Sequence, residues 1–548
     1  MPNRISRILI LPVIFLTILI AAWLLTVEAA PAGAIEITSA VPWNEVDGEA
    51  LTPGQVVSYT FTAEAGQVAA LDLIIPEGSL LDGQVSLSKA SDGSRVTDDV
   101  YDQAIALFDP GKPAGLTAAL PESGDYLIKI DPDDFGDGTT GAFTLRFNLV
   151  DPASSLAVSQ DQASCPGDTG FVRAAVRAAE AGGEVYVCPG HYTETQTIRF
   201  GTPNVKLYSV GDEMDRATIE SLDFSTLYLQ ATDLTISGLN LRGGTVGIIG
   251  QPLDFGPDRL KLLSCRIEGT VSAIRLGVND PADDVTISNC IIQIQTLGVT
   301  DRTAILVTGD RTQVYGNEIN TLTGEEHFYA RQSILLTGDD VYVHDNEIGQ
   351  LEWPTNTQWA IQVNGDRALV EDNDIAGYST GIRVSANQAI TSTATIRGNH
   401  LRGDNTGVAS AGINVTNIDE VDVNTNFISG SPGLSVGILL ESSGGRVVNN
   451  RVTIGHFTGI RYSDSFALLQ PAEFVNNTIV TAEAYPTASA FQAYSATPVS
   501  MTLPITLTNN LISGPPTPPP PPFEWDRYCG VTADRPLQTQ SNNLIEGR

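Results

Sequence analysis

The sequence predicts an all-β chain, a parallel β-helix with three strands per coil preceded by an antiparallel β-sandwich. Three observations predict it. A hydrophobic–x–x–Asn–x–Ile hexapeptide returns as VYGNEI, VHDNEI and VEDNDI at 314–319, 343–348 and 370–375. Aligned on its Asn position, the motif recurs from Leu239 to Asn543 at gaps of 24 to 33 residues, and a period in this range marks a solenoid. Before residue 150, stretches such as GDYLIKI and GAFTLRFNLV alternate apolar and polar side chains, the signature of half-buried antiparallel strands.

In chain order, the N-terminus comes first. Arg4 and Arg7 precede an apolar run from Ile8 to about Val27, and Ala32-Gly33-Ala34 follows as a small-x-small cleavage pattern. This is the layout of an export signal. The run is also near the length that spans a bilayer, so residues 1–34 read as a signal peptide or an uncleaved membrane anchor. Either reading places the remainder outside the cytoplasm, secreted or anchored at the cell surface, with membrane contact only through this segment. The 548 residues carry 64 Asp and Glu against 30 Lys and Arg, a net charge of −34. A phosphate backbone needs a basic surface, so nucleic acid is excluded as a partner. The balance suits solubility, cation binding, or contact with neutral or basic polymers.

Residues 36–150 form the predicted sandwich. A Tyr-x-Phe strand (Tyr59–Phe61), a turn at Gly66, an apolar strand (Leu71–Ile75), a Gly-x-Tyr strand (Gly124–Tyr126) and Phe143–Phe147 follow one another. This order resembles the bacterial pre-peptidase C-terminal domain, which implies an accessory module without catalysis of its own. Within it, DPDDFGDG gathers Asp131, Asp133, Asp134 and Asp137. Calcium takes several carboxylate oxygens on a flexible turn, so these four are the candidate calcium ligands. A solvated acidic hairpin turn is the plainer reading, because the spacing is not that of an EF-hand.

Residues 165–548 form the predicted β-helix. CPGDTGFVRAAVRAAEAGGEVYVCPGHY offers Asp168 as the N-cap of an Ala-rich helix through about Ala181, a Gly-Gly stop and an apolar strand. Such a helix covers the open end of a stack. Cys165 and Cys188 flank it and are the disulfide candidates. Three residues before the Asn column stand apolar residues such as Val314, Val343, Val370 and Ile396, and two after it Ile319, Ile348, Ile375 and Leu401. Stacked in register at the strand spacing of about 4.8 Å, these columns make a continuous interior. The Asn column makes a row of amides that satisfy one another at the corner. A third strand supplies Ile274, Ile305, Ile334, Ile361, Ile382, Ile413, Ile438 and Ile460.

Three strands per turn at this period, together with the helix-then-VYVCPGHY start, resemble the pectate-lyase-like superfamily, which implies a right-handed β-helix over about 165–548. Cys265 and Cys290 occupy the Asn column in adjacent coils and read as buried thiols packing as small hydrophobes. Cys529 follows the Pro-rich GPPTPPPPPFEW, a polyproline II loop with no evident partner for the thiol.

Ligands of this superfamily lie along an outward strand face. The residue after the third-strand Ile column runs Arg275, Leu306, Leu335, Gln362, Arg383, Asn414, Leu439, Arg461, with Gln362, Arg383 and Asn414 a contiguous polar track. The segments 320–332 and 349–359 bring Glu325, Glu326, His327, Phe328, Tyr329, Arg331, Glu352, Trp353 and Trp359 towards it, with Tyr378 on the next coil. Aromatic rings cover the apolar faces of sugars, and amides and charges read hydroxyls. Phe328, Tyr329, Trp353, Trp359, Gln362, Tyr378, Arg383 and Asn414 are therefore the candidate polysaccharide-binding residues. Glu325, Glu326, Glu352 and Arg383 are the catalytic candidates if the chain cleaves glycosidic bonds. The motif sets of pectate lyases, polygalacturonases and alginate epimerases do not transfer: Asp339-Asp340 and the GHF at 455–457 echo the second set only faintly. Asp310, Asp339 and Asp366 belong to a repeated Gly-Asp turn that needs no chemistry. The expectation is an extracellular polysaccharide-binding β-helix. A polysaccharide lyase or glycoside hydrolase with an unfamiliar site, and a non-catalytic adhesive rod, are the alternatives.

Overall fold

The computed structural model describes residues 44–50, 56–79, 81, 83–96, 114–132, 140–211, 215–250, 257–269, 271–278, 280–296, 303–323, 332–350, 359–378, 380–386, 391–403, 411–430, 436–454, 458–464, 471–481, 489–495, 505–513, 531–533, 539–541 and 543–546. Two compact units result, residues 1–152 and 153–548. Among the described residues no helix is long and apolar enough to cross a membrane. Segment 1–34 and Cys529 lie outside the described residues.

The first unit holds two small antiparallel sheets. One orders Asn44–Ala50, Gly141–Val150, Val68–Ile74 and Ala114–Ala119, and the other Val57–Ala63, Gly124–Pro132 and Gly83–Lys89. Their alternating apolar residues share one core. Phe61 of the second sheet lies 4.6 Å, between ring centroids, from Phe147 of the first, and 5.6 Å from Tyr126. Asp131 sits half-buried in a strand, paired in register with Gln84. Its expected companions Asp133, Asp134 and Asp137 lie outside the described residues.

The second unit is a parallel β-solenoid of three sheets, which among the described residues have 14, 13 and 15 strands. In each coil the chain visits them in order, as at His191–Glu194, Ile198–Phe200 and Lys206–Ser209; they are called here the first, second and third sheets. Every strand pairs with its counterpart one coil on, so Val343 stands on Val370, Ile348 on Ile375 and Ile361 on Ile382. All six are buried.

The Asn column turns the corner from the third sheet to the first. Asn346 donates from Nδ2 to Oδ1 of Asn373 at 2.9 Å and to the Val314 carbonyl at 2.9 Å, while its main-chain N–H also reaches Asn373 Oδ1. The pattern repeats from Asn317 to Asn543. The residue before each Asn takes a left-handed backbone, as at Gly316, Asp345, Asp372 and Gly398 (φ between 53 and 66°). Gly, Asp and Asn tolerate that conformation best. Cys265 and Cys290 continue the column as buried free thiols. The Cys290 N–H donates to Asn317 Oδ1 and the Cys265 N–H to Cys290 Sγ, so sulfur takes the place of an amide oxygen.

The corner from the second sheet to the third carries a second ladder. Asp283 Oδ1 accepts the N–H of Asp310, Asp310 that of Asp339, and Asp339 that of Asp366, each at 2.8 Å. Asp310, Asp339 and Asp366 are the residues of the Gly-Asp turn, Asp283 takes the same place after Ala282, and binding the next coil's backbone is their structural use. Small residues line the second sheet just before its Ile column. A Cβ added to Gly412 would sit 2.6 Å from Ile428 Cγ2 and 2.7 Å from the Gly437 carbonyl. Two successive residues thus face the interior there, and only a small one fits first.

The start of the solenoid differs from expectation in three ways. Strand Ala153–Val158 already pairs with Ala179–Val187, so the stack begins before residue 165. The helix is Val172–Ala178, and the chain continues from it straight into that strand. Asp168 is not its cap. The Asp168 carboxylate accepts the Ala157 N–H, while Glu194, from a later strand, accepts the Val172 N–H at 2.7 Å. Glu194 is 1 % exposed and ion-paired with equally buried Arg173, which compensates the charge it brings to the helix N-terminus. Cys165 and Cys188 are joined in a disulfide, their Cα atoms 6.1 Å apart.

Candidate functional site

The second sheet presents the candidate face. Its outward row is in strict register from Arg275 through Leu306, Leu335, Gln362, Arg383, Asn414 and Leu439 to Arg461. The Gln362, Arg383 and Asn414 side chains therefore lie on three consecutive coils. Because two interior residues precede Leu335 and Gln362, the next outward position in each strand is three residues back, at Gln332 and Trp359, which pair in register.

A chain of hydrogen bonds crosses this face. Thr303 Oγ1 donates to Gln332 Oε1 at 3.1 Å, Gln332 Nε2 to Gln362 Oε1 at 2.8 Å, and Gln362 Nε2 to Asn364 Oδ1 at 2.9 Å. Ser385 Oγ also donates to Asn364 Oδ1, at 2.9 Å, and Thr416 Oγ1 to Asn414 Oδ1 at 3.0 Å. Each amide is held by its neighbours, so the face is preorganised; Gln332 and Gln362 are themselves buried, each 8 % exposed, and Asn364 and Asn414 are its more open amides. The Arg383 guanidinium carbon lies 5.1 Å from the centroid of the half-exposed Trp359 ring, a cation–π distance. Arg383 Nε is buried and has no hydrogen-bond partner among the described residues.

Of the residues singled out in the sequence, Trp359, Gln362, Arg383 and Asn414 come together here. Glu325, Glu326, His327, Phe328, Tyr329, Arg331, Glu352 and Trp353 lie outside the described residues. Tyr378 is corrected: it is 3 % exposed and belongs to the core. Gly377 turns the chain with φ 68°, and the ring packs inside beside Gly381, which has no side chain to compete for the space. Burial pushes its phenol well up. Gln332 and Asn364 went unrecognised in the sequence. Asn364 was detectable by period two from Gln362, whereas Gln332 is hidden by the pair of interior residues Ser333 and Ile334.

A second polar cluster, on the third sheet, was also missed. The Tyr315 and His344 rings stack 4.7 Å apart and the Tyr342 and His344 rings 4.0 Å apart. The Tyr342 hydroxyl donates to Glu371, and Arg397 Nε donates to the other Glu371 oxygen. The hydroxyl, with Arg397 beside it, holds the Glu371 carboxyl below its usual range, and that same bond raises the Tyr342 phenol to about 12. The rings cover one another's faces and Glu371 is shared by its two donors, so the cluster ties coils together.

With this geometry in hand, comparison with known proteins adds one family. Residues 282–500 match the model described as periplasmic copper-binding protein (NosD). The match covers less than half of the chain. No curated protein matches the chain. Among solved structures, the catalytic unit of the thermostable GH87 alpha-1,3-glucanase from Streptomyces thermodiastaticus strain HF3-3 is 15% identical, over 93% of this chain and 97% of its own, with a TM-score of 0.34. A GH87 alpha-1,3-glucanase catalytic domain in complex with tetrasaccharides is 14% identical, over 92% and 99%, with a TM-score of 0.36. PliG of Aeromonas hydrophila, a periplasmic inhibitor of g-type lysozyme, is 16% identical over 22% of this chain and 99% of its own, with a TM-score of 0.17. At these scores none of the three carries an argument about activity.

Proposed function

We propose that the chain is a secreted or cell-surface protein that binds polysaccharide along the outward face of its second sheet. The observation that carries the reading is the preorganised track of Gln332, Gln362, Asn364 and Asn414 beside Trp359 and Arg383. Linked amides present fixed donors and acceptors to hydroxyls, a ring offers its apolar face to a sugar, and several coils in register give an extended ligand a matching length. The Cys165–Cys188 disulfide fits a compartment outside the cytoplasm, and the matched family is described as periplasmic.

Copper, named in that family's description, does not fit the donors described here. His344 stands on the third sheet, and His191 and His400 stand on the first, many coils apart. Cys265 and Cys290 are committed to the corner ladder, and among the described residues no three His, Cys, Asp or Glu converge. No step is assigned to a metal.

The test is a panel of plant, algal and bacterial polysaccharides offered to the purified chain, followed by Trp359→Ala. Binding that falls about tenfold in the variant at unchanged thermal stability supports the reading. Equal loss of stability would make the ring a packing element. Turnover, seen as new ultraviolet absorbance or new reducing ends, would mark a lyase or a hydrolase.

A further inference from the structure

The charge of the solenoid is sorted by face. Among the described residues, the strands of the first sheet contain seven carboxylates against four Lys and Arg, and those of the third six against four. The second-sheet strands invert this, with two carboxylates, Glu441 and Asp464, against four arginines. All four arginines, Arg199, Arg275, Arg383 and Arg461, stand in the one outward row that also holds Gln362 and Asn414.

The cations of the other faces are largely consumed by acids of their own sheet, as in Arg402–Asp374 at 2.8 Å, Lys206–Glu184 at 2.7 Å and Arg446–Glu473 at 3.4 Å. Arg383 is different. Its register neighbours are neutral amides, its guanidinium lies over Trp359, and its Nε has no hydrogen-bond partner among the described residues. A guanidinium beside a ring, with only neutral amides as its row neighbours, is set to take an anion through its outer nitrogens, since Nε itself is buried. Arg275 and Arg461 lie four and three coil steps away along the row, about 19 and 14 Å at the strand spacing. Those separations exceed the screening length of roughly 8 Å at physiological salt, so each arginine acts as a separate contact and suits a ligand whose charges recur along its length.

We propose that the second face selects acidic polysaccharide, with Arg383 as the central anion-binding residue and Arg275 and Arg461 as outlying contacts on the same polymer. This deepens the polysaccharide reading above and rests on it. The partner chemistry is a carboxylate- or sulfate-bearing sugar chain. The half-buried amides of Asn364 and Asn414 meet its hydroxyls, the half-exposed Trp359 ring meets the sugar, and Arg383 meets the acid group.

The test uses the full chain and matched polymers: a polyuronate, the same polymer with its carboxyls methyl-esterified, and a neutral glucan with and without sulfation. Arg383→Gln and Arg275→Gln are the variants. Glutamine already occupies this row at Gln362 and Gln492, and unchanged melting verifies that each variant folds. The expected result is binding to an acidic polymer that falls about tenfold or more in Arg383→Gln, falls less in Arg275→Gln, and weakens with added salt. Preference for the uronate or for the sulfated glucan then distinguishes the two acid groups. Equal binding of charged and uncharged partners would overturn the selectivity and leave the polysaccharide reading standing. Acidic binding that both variants retain would place the anion elsewhere and also overturn it. Failure to bind any polymer would remove both.

Discussion

Replacing Asn373 by leucine tests the corner ladder directly. Asn373 Oδ1 accepts the main-chain N–H of Asn346 at 3.1 Å and its Nδ2 at 2.9 Å. Its own Nδ2 donates to the carbonyls of Val343 and Glu371 and to Asn399 Oδ1, at 3.1, 2.9 and 2.9 Å. Some partners survive the change: Asn346 Nδ2 keeps Val314 and Asn399 Oδ1 keeps the Asn373 main-chain N–H. The Asn346 N–H has no such reserve, and Asn346 is 1 % exposed, out of reach of water. One buried donor left unpaired costs about 1–3 kcal/mol, and a branched side chain forced into an amide's space adds about 1–3 kcal/mol, offset in part by leucine's apolar burial. The expected loss is about 2–4 kcal/mol.

Asn373→Asp sharpens the test. It keeps the acceptor but sets a carboxylate against three acceptors, so its pKa rises above the unfolded value of about 3.9. The destabilisation is then full at neutral pH and relieved as pH falls through the raised folded value. Urea unfolding, with amide exchange at Asn346, measures both variants. If each unfolded within about 0.5 kcal/mol of the parent at neutral pH, the amide row would contribute no cohesion and the reasoning would fail.

Three further outcomes follow from other parts of the fold. Gly412→Val should lower the melting temperature by overpacking worth about 1–3 kcal/mol or more, since its Cβ meets Ile428 and the Gly437 carbonyl below 3 Å; an unchanged melt would mean that the two sheets part freely there. Cys165→Ser, or reduction of the disulfide, should cost about 3 kcal/mol for a loop of 23 residues, read as a lower melting temperature, and reductant should leave the variant itself unaffected. Acid should destabilise the solenoid through Glu184, which Lys206 first, then Tyr186 and Tyr208, hold down to about 2 from 4.5. A lowered folded pKa means that the contribution is present above about 4.5 and lost as pH falls towards 2. Glu184→Gln should therefore flatten the acid limb of a melting-temperature profile, and an unaltered slope would discount that ion pair.

Much of the fold was legible because interior columns repeat in sequence what they repeat in space. Val343, Asn346 and Ile348 each predict a partner one period on, and register places Val370, Asn373 and Ile375 there. The column before Asn was harder to read, because Gly316, Asp345 and Gly398 share a backbone angle and not a chemistry. The helix cap was out of reach: Glu194, which caps it, is 22 residues from Val172, and local spacing points to Asp168 instead. On the candidate face, period two found Gln362 and Arg383 but lost Gln332 across the two interior residues. Tyr378 was misplaced because an aromatic near an exposed turn looks the same in sequence whether it faces water or fills the space beside Gly381.

The net charge of −34 points towards neutral or basic partners if it is spread evenly over the surface. It is not. Acids of the first and third sheets, such as Asp374 and Glu184, sit beside the cations that they neutralise, and Asp283, Asp310 and Asp339 are engaged by the next coil's backbone at the corner. A partner approaching the second face meets charge within about 8–10 Å, the screening length at ordinary salt, and among the described residues the row beside Arg383 supplies amides and a ring. In a solenoid each face repeats its own rows, so a whole-chain total averages over surfaces that no single ligand sees together. On the acidic-polysaccharide proposal, the preference for a charged or an uncharged polymer turns on one row of one sheet, and a substitution at Arg383 is expected to change it where a change of many surface acids elsewhere is not.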